Sequence, residues 1–395
     1  MNPGSGARSA VMQMLRLFAF LTTGLAAHAL SEPPPAAFRA ETLDAKLGIG
    51  YGLAITDIDG DGRPDIVLVD AKETVWYRNP DWTKHRMTGA LTKLDHVCVA
   101  ARELDGKPEV AVGAEWNPGD TRNSGAVFTL TAPEDRTKEW SARKQHREPT
   151  VHRMHWVKEA GNRHFLAVLP LHGCDNVNTE GDGIRFLGYR PEADREWPTF
   201  LINGDFHLAH NFDPVSWPGT EGEAMLVACK EGVHLIKGAG DRWTPQSMTA
   251  KGSGEVRLGK LPDGRRFITT IEPFHGNEVV INPENPAGLW SEKRVVLDDS
   301  LNQGHALAAA DFLGLGHDQV IAGWREPDAG GKVGIRLYVP TAADGSAWKL
   351  HATVDDNTMA CEDFKVADLD ADGKPDIIAA GRATKNLVVY WNGSE

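Results

Sequence analysis

An Asp-rich segment occurs twice near opposite ends of the chain, as Asp57-Ile58-Asp59-Gly60-Asp61-Gly62-Arg63-Pro64-Asp65 and as Asp368-Leu369-Asp370-Ala371-Asp372-Gly373-Lys374-Pro375-Asp376. An internal repeat constrains the fold more than composition does, because each copy requires the same supersecondary unit. Eroded copies lie between them at residues 104–110, 261–267 and 311–316. A second marker runs in phase with the first: Trp82, Trp140, Trp197, Trp243, Trp290 and Trp348 open short segments at intervals of roughly 46 to 58 residues. That period suits four strands with their turns. Runs such as Thr74-Val75-Trp76-Tyr77 and Ile335-Arg336-Leu337-Tyr338 precede most of the tryptophans and carry the β-branched and aromatic content of strands.

Aligning the units gives seven inner strands, beginning near Tyr51, His96, His152, His210, Glu255, His305 and Glu362. The expected fold is all-β, a seven-bladed β-propeller of four-stranded blades. Only six Trp-led outer strands are present, and the last unit stops at its third strand, residues 387–391. The segment Phe38-Arg39-Ala40-Glu41-Thr42-Leu43 has strand character and no unit of its own. It is expected to supply the missing strand, closing the ring and covering its edge. The 41 Gly, 23 Pro and 12 Trp agree with short elements joined by tight turns.

Residues 1–29 read as a signal peptide. Arg8 and Arg16 lead into the apolar run 17–27, and Ala27-His28-Ala29 offers the small residues of a cleavage site. The propeller is expected over 30–395, exported to the periplasm or beyond the cell, with no apolar run long enough to span a membrane. The 55 acidic against 42 basic side chains leave a net charge of −13, which argues against a nucleic-acid partner. Four cysteines are too few for a disulfide-dense scaffold.

Asp57, Asp59, Asp61 and Asp65 occupy loop positions 1, 3, 5 and 9, as do Asp368, Asp370, Asp372 and Asp376. Carboxylates so spaced can converge on one hard cation, and Ca2+ suits them because it takes six to eight oxygens in flexible geometry. Strand-like flanks and the lack of a Glu at position 12 set these loops apart from EF-hands. On these two loops and their flanks the chain resembles the FG-GAP or VCBS-type repeat family of calcium-binding propellers, which implies a seven-bladed ring.

The seven inner-strand openings form a polar ring at the channel mouth opposite the Asp-rich loops, with His155 nearby. Such a position could be packed by apolar residues without the cost of burying polar groups. Loops on the same face add Trp116, His172, Lys230, His275, Trp324, Arg325 and Arg382, aromatic and cationic groups suited to a sugar or uronate. Imidazole and carboxylate on successive blades suit Zn2+ or another divalent transition metal, with His210, Glu255, His305 and Glu362 as the expected ligands. A metal there would acidify the C–H next to a carbonyl. His152 is then the leading base, His96 its reserve, and Tyr51 or His155 the proton donor to the leaving oxygen. The mouth histidines with the Asp-rich loops are similar to the propeller domain of aldos-2-ulose dehydratase and, more loosely, to seven-bladed polysaccharide lyases such as ulvan lyases. The sequence stops after its seventh blade, where the dehydratase continues into a cupin-like part. This resemblance implies an exported carbohydrate lyase performing β-elimination on a keto-sugar or uronate. The rival readings are a calcium-stabilised glycan-binding or adhesion propeller, and a metal-dependent hydrolase or epimerase.

Overall fold

The second strand of each unit is a short apolar run, such as Asp65-Ile66-Val67-Leu68-Val69, and it is buried on both faces because neighbouring sheets stack against it. The computed structural model describes Met1 and residues 30–176, 179–290 and 293–394, and the signal segment at 2–29 lies outside them. Seven four-stranded antiparallel sheets make up the chain, as the repeat requires. Six are built from consecutive strands, over residues 52–88, 98–144, 151–203, 209–247, 255–298 and 304–356. These are blades 1 to 6. Blade 7 combines Cys361–Ala367, Asp376–Gly381 and Leu387–Asn392 with the N-terminal strand Phe38–Asp44. That strand pairs antiparallel with the last one, Phe38 opposite Asn392.

Six apolar clusters lie mainly between adjacent blades, so the core is distributed around the ring. Four tyrosines at one third-strand position latch blades 1, 3, 6 and 7 to the blade before them. The hydroxyls of Tyr77 and Tyr390 donate to Asp44 and Asp355, each at 2.8 Å, Tyr189 donates to the His146 carbonyl at 3.1 Å, and Tyr338 donates to Asp298. Trp290 departs from the expected pattern. It bridges Glu284, while the outer strand of blade 5 begins only at Val295.

The inner strands differ in register. A β-bulge falls at His152, His210, His305 and Glu362, where the ladder skips one residue. The inner strands of blades 1, 2 and 5 pair without interruption. A bulge takes a residue out of the ladder and re-aims its side chain, and bulges occur often beside functional sites.

Candidate functional site

The bulged histidines share one hydrogen-bonding device. The Nδ1–H of His152 donates to the His210 carbonyl at 2.9 Å, and that of His210 to the Gly254 carbonyl at 3.1 Å. His305 Nδ1 donates likewise to the Glu362 carbonyl. Each acceptor belongs to the chain at the start of the next blade. Donation from Nδ1 leaves the lone pair on Nε2, the arrangement that second-shell carbonyls impose on metal-binding imidazoles.

His275, on the loop after the second strand of blade 5, completes the group. Its Nδ1 accepts from Arg325 Nη2 at 3.2 Å, because a guanidinium can only donate, so its proton sits on Nε2 and points at His210 Nε2, 2.7 Å away. The rings of His210, His275 and His305 lie 4.4–4.9 Å apart, and the His152 ring is 4.6 Å from that of His210. One ring nitrogen from each of His210, His275 and His305 falls within 4.8 Å of the others. Burial holds His152, His210 and His305 well below the usual imidazole range, reinforced by nearby guanidiniums, and burial likewise lowers His275. Neutral imidazole is the form that binds a metal or accepts a proton. A zinc-type ion would take the Nε2 lone pairs of His210 and His305 directly and that of His275 once its proton moves to Nδ1 and Arg325 releases that nitrogen, which leaves an open position.

Two expected carboxylate ligands are placed elsewhere. Glu362 spans Arg325 at 3.0 Å and Arg382 at 2.9 Å, so both its oxygens are committed to guanidiniums. Glu255 lies behind His210: one oxygen is 3.1 Å from His210 Nδ1, and the other accepts from Asn211 at 2.7 Å with Arg257 at 3.4 Å. His275, expected as a substrate contact, stands where the third ligand was sought.

The expected acid–base groups also redistribute. His152 keeps its place at the mouth, with the Trp116 ring 5.0 Å away, but its Nε2 accepts from Arg153 Nη1 at 3.1 Å. His96 is fully buried and occupied on both nitrogens, by Thr74 Oγ1 at 3.3 Å and the Leu91 amide at 3.1 Å, which removes it as a reserve base. Burial pulls its pKa down to about 4. His155 lies inside the channel against Phe212 rather than at the mouth, and burial lowers it to about 3. The Tyr51 hydroxyl donates to Asp95 at 3.2 Å, and burial with the Asp95 charge pushes its pKa up to about 12.

Among the expected substrate contacts, Arg325 and Arg382 line the mouth, the latter 5.4 Å above the Tyr51 ring. Trp324 does not: only 2% exposed, its indole donates to the Lys332 carbonyl and packs under Arg336, which makes it core. His172 bridges Leu208, and Lys230 reaches Thr179; neither touches the imidazoles. Sequence reasoning passed over Arg153, Asp95 and Gln303, which accepts from Arg325 at 3.0 Å. A charged residue directly after His152 on an inner strand was the available signal for Arg153.

At the opposite end of the ring, one oxygen from each of Asp57, Asp59 and Asp61 converges in the first loop, and from Asp368, Asp370 and Asp376 in the last. Asp65 falls outside the first trio and Asp372 outside the second. Asp65 accepts the Ile58 and Asn79 amides, both at 2.8 Å, and Asp376 the Leu369 and Asn392 amides at 3.0 and 2.8 Å. These buried carboxylates bolt the loops to their own blades.

Residues 124–284 match the family model for the β-propeller domain of aldos-2-ulose dehydratase. The chain resembles that domain. The matched stretch contains His152, Arg153, His210, Glu255 and His275, while His305, Arg325 and Arg382 lie beyond it. No curated protein matches the chain. Among solved structures, the chain is similar to BBS1N from its complex with ARL6DN, at 11% identity and TM-score 0.55 over 91% of this chain and 97% of that one. A chain of the Mitotic Checkpoint Complex is similar at 10% identity and TM-score 0.56, over 96% and 99%. Identities this low show the shared fold alone.

Proposed function

We propose that the channel mouth is the active site of an exported carbohydrate lyase or dehydratase, with a divalent transition metal held by His210, His275 and His305. The observation that carries this reading is the group of three neutral imidazoles, two of them fixed by carbonyls of the next blade. The match to the aldos-2-ulose dehydratase propeller supports a carbohydrate as substrate. A bound metal would polarise the sugar carbonyl or carboxylate and acidify the adjacent C–H.

The chain's own residues supply the remaining steps. Trp116 offers an aromatic face beside His152 for a sugar ring. His152 Nε2 would take the proton from the carbon next to the carbonyl once Arg153 turns aside. The electron pair of that C–H bond becomes the C=C bond as the C–O bond at the next carbon breaks, and the departing oxygen takes a proton. Tyr51 keeps its proton at neutral pH and would give it from the same rim once its hydroxyl turns from Asp95. The three-carboxylate loops suit Ca2+ as structural ions at the far end.

The second reading, a calcium-stabilised glycan-binding propeller, is favoured by the Arg153 contact, which occupies the nitrogen a base would use. The two readings separate in one assay. Incubation with keto-sugars and uronates should give a product whose new conjugated double bond absorbs ultraviolet light, lost in His152→Ala. Glycan binding with no such product in the wild type would remove the lyase reading.

A further inference from the structure

We infer that Arg153 is a carboxylate anchor, and that the mouth therefore takes a sugar acid, a uronate or aldonate, in preference to a neutral keto-sugar. This rests on the reading of the mouth as a carbohydrate site and names its substrate class. Four arginines surround the imidazoles, and their partners differ. Arg325 and Arg382 share the single carboxylate Glu362. Arg257, deeper in the channel, faces Glu255. Arg153 has no carboxylate within ion-pair distance among the described residues. Its hydrogen bonds run from Nη1 alone, to His152 Nε2 and the His152 carbonyl, both at 3.1 Å.

A guanidinium presents five donors in a planar fork shaped for a carboxylate, and the three on Nε and Nη2 of Arg153 make no hydrogen bond to the described chain. Among the described residues, the carboxylates in direct contact with the imidazoles and these arginines are Glu255 and Glu362, against four guanidiniums, and Asp95 on the same rim is balanced by Lys72 at 2.9 Å. A cationic mouth in a chain of net charge −13 is local and selects for an anion. The Arg153 position also couples binding to chemistry. A substrate carboxylate that draws the fork onto itself releases His152 Nε2, so the base is uncovered only when an acid is bound.

The test compares D-glucuronate with D-glucuronamide, which differ at one group, a carboxylate in the first and a neutral amide in the second, by calorimetric titration of the purified full-length protein with its metals. Glucuronate should bind at least roughly tenfold more tightly, a difference of about 1.4 kcal/mol. Arg153→Gln should bring that ratio close to one while leaving the glucuronamide affinity in place. Arg153→Lys, which keeps the charge without the fork, should retain part of the preference. If Arg153→Gln fails to fold by thermal melting, the wild-type ratio and the Arg153→Lys ratio decide. A wild-type ratio near one, failure to bind glucuronate, or an unchanged ratio in the variants overturns the assignment. The readout is affinity, so a protein that shows the preference yet forms no elimination product loses the lyase reading and keeps the anchor.

Discussion

The Asp-rich loops, on blades 1 and 7, and the imidazole mouth, on blades 3 to 6, stand at opposite ends of the ring and are assembled in opposite ways. Each loop draws its three carboxylates from within nine residues of one blade, and a buried fourth carboxylate or its counterpart fastens it to that blade's own amides. The mouth draws His152, His210, His275 and His305 from four blades, and every bulged histidine is oriented by a carbonyl of its neighbour. Local construction makes the loops part of each blade's stability. Construction across blades makes the mouth depend on the ring having already closed. The loops should therefore respond to mutation mainly in stability, and the mouth mainly in binding and chemistry.

The sharpest test of the loop half is Asp376→Ala, which strands two buried amides that now donate to a carboxylate. It should cost about 3 kcal/mol in urea unfolding, at 1.5–3 kcal/mol for each hydrogen bond to a charged group before any cooperativity. A loss below about 1 kcal/mol would mean that the bolt is dispensable. Asp70 carries the same device to the mouth face, accepting the amides of Gly48, Ile49, Gly50 and Ala71. Burial opposes its ionisation, but the four donors outweigh burial and hold its carboxyl below the usual range. Its contribution is thus complete above the unfolded-state pKa near 4 and is lost as pH falls through the lower folded value. Asp70→Asn should cost about 2 kcal/mol at pH 7 and flatten the acid limb of the stability profile. An unaltered acid limb would contradict the assignment.

Smaller effects fall on the inter-blade contacts. Tyr390→Phe removes a single latch to Asp355 and should cost about 1 kcal/mol. His275→Ala sits on a loop, and its stability change should stay within about 1 kcal/mol while metal retention falls. If His275→Ala unfolds the protein instead, the contrast between the two ends fails.

The same difference explains what could be read from the chain. The loops repeat as a motif, so their position, the seven units and the orphan strand at Phe38 were all legible, and the ring closes as the strand count demanded. The mouth was legible as a set of positions, because aligned repeats place equivalent residues on one rim. Their roles were not. A bulge leaves no mark in the sequence, yet it distinguishes His152, His210 and His305 from His96 and Glu255. Which carboxylate is free was equally hidden: Glu362 is taken by arginines that lie 20 and 37 residues away. Trp324 looked like a binding platform by its place after a second strand, but its indole turns into the core toward Lys332.

His210, His275 and His305 are proposed to hold a transition metal at a site separate from the Asp-rich loops. Elemental analysis of protein purified without chelator, counted per chain in the wild type and in His210→Ala, tests it most directly. The expected result is close to one zinc-type ion per chain in the wild type, its loss in the variant, and the same calcium content in both. Calcium alone in the wild type, or a transition metal that survives His210→Ala, would contradict it.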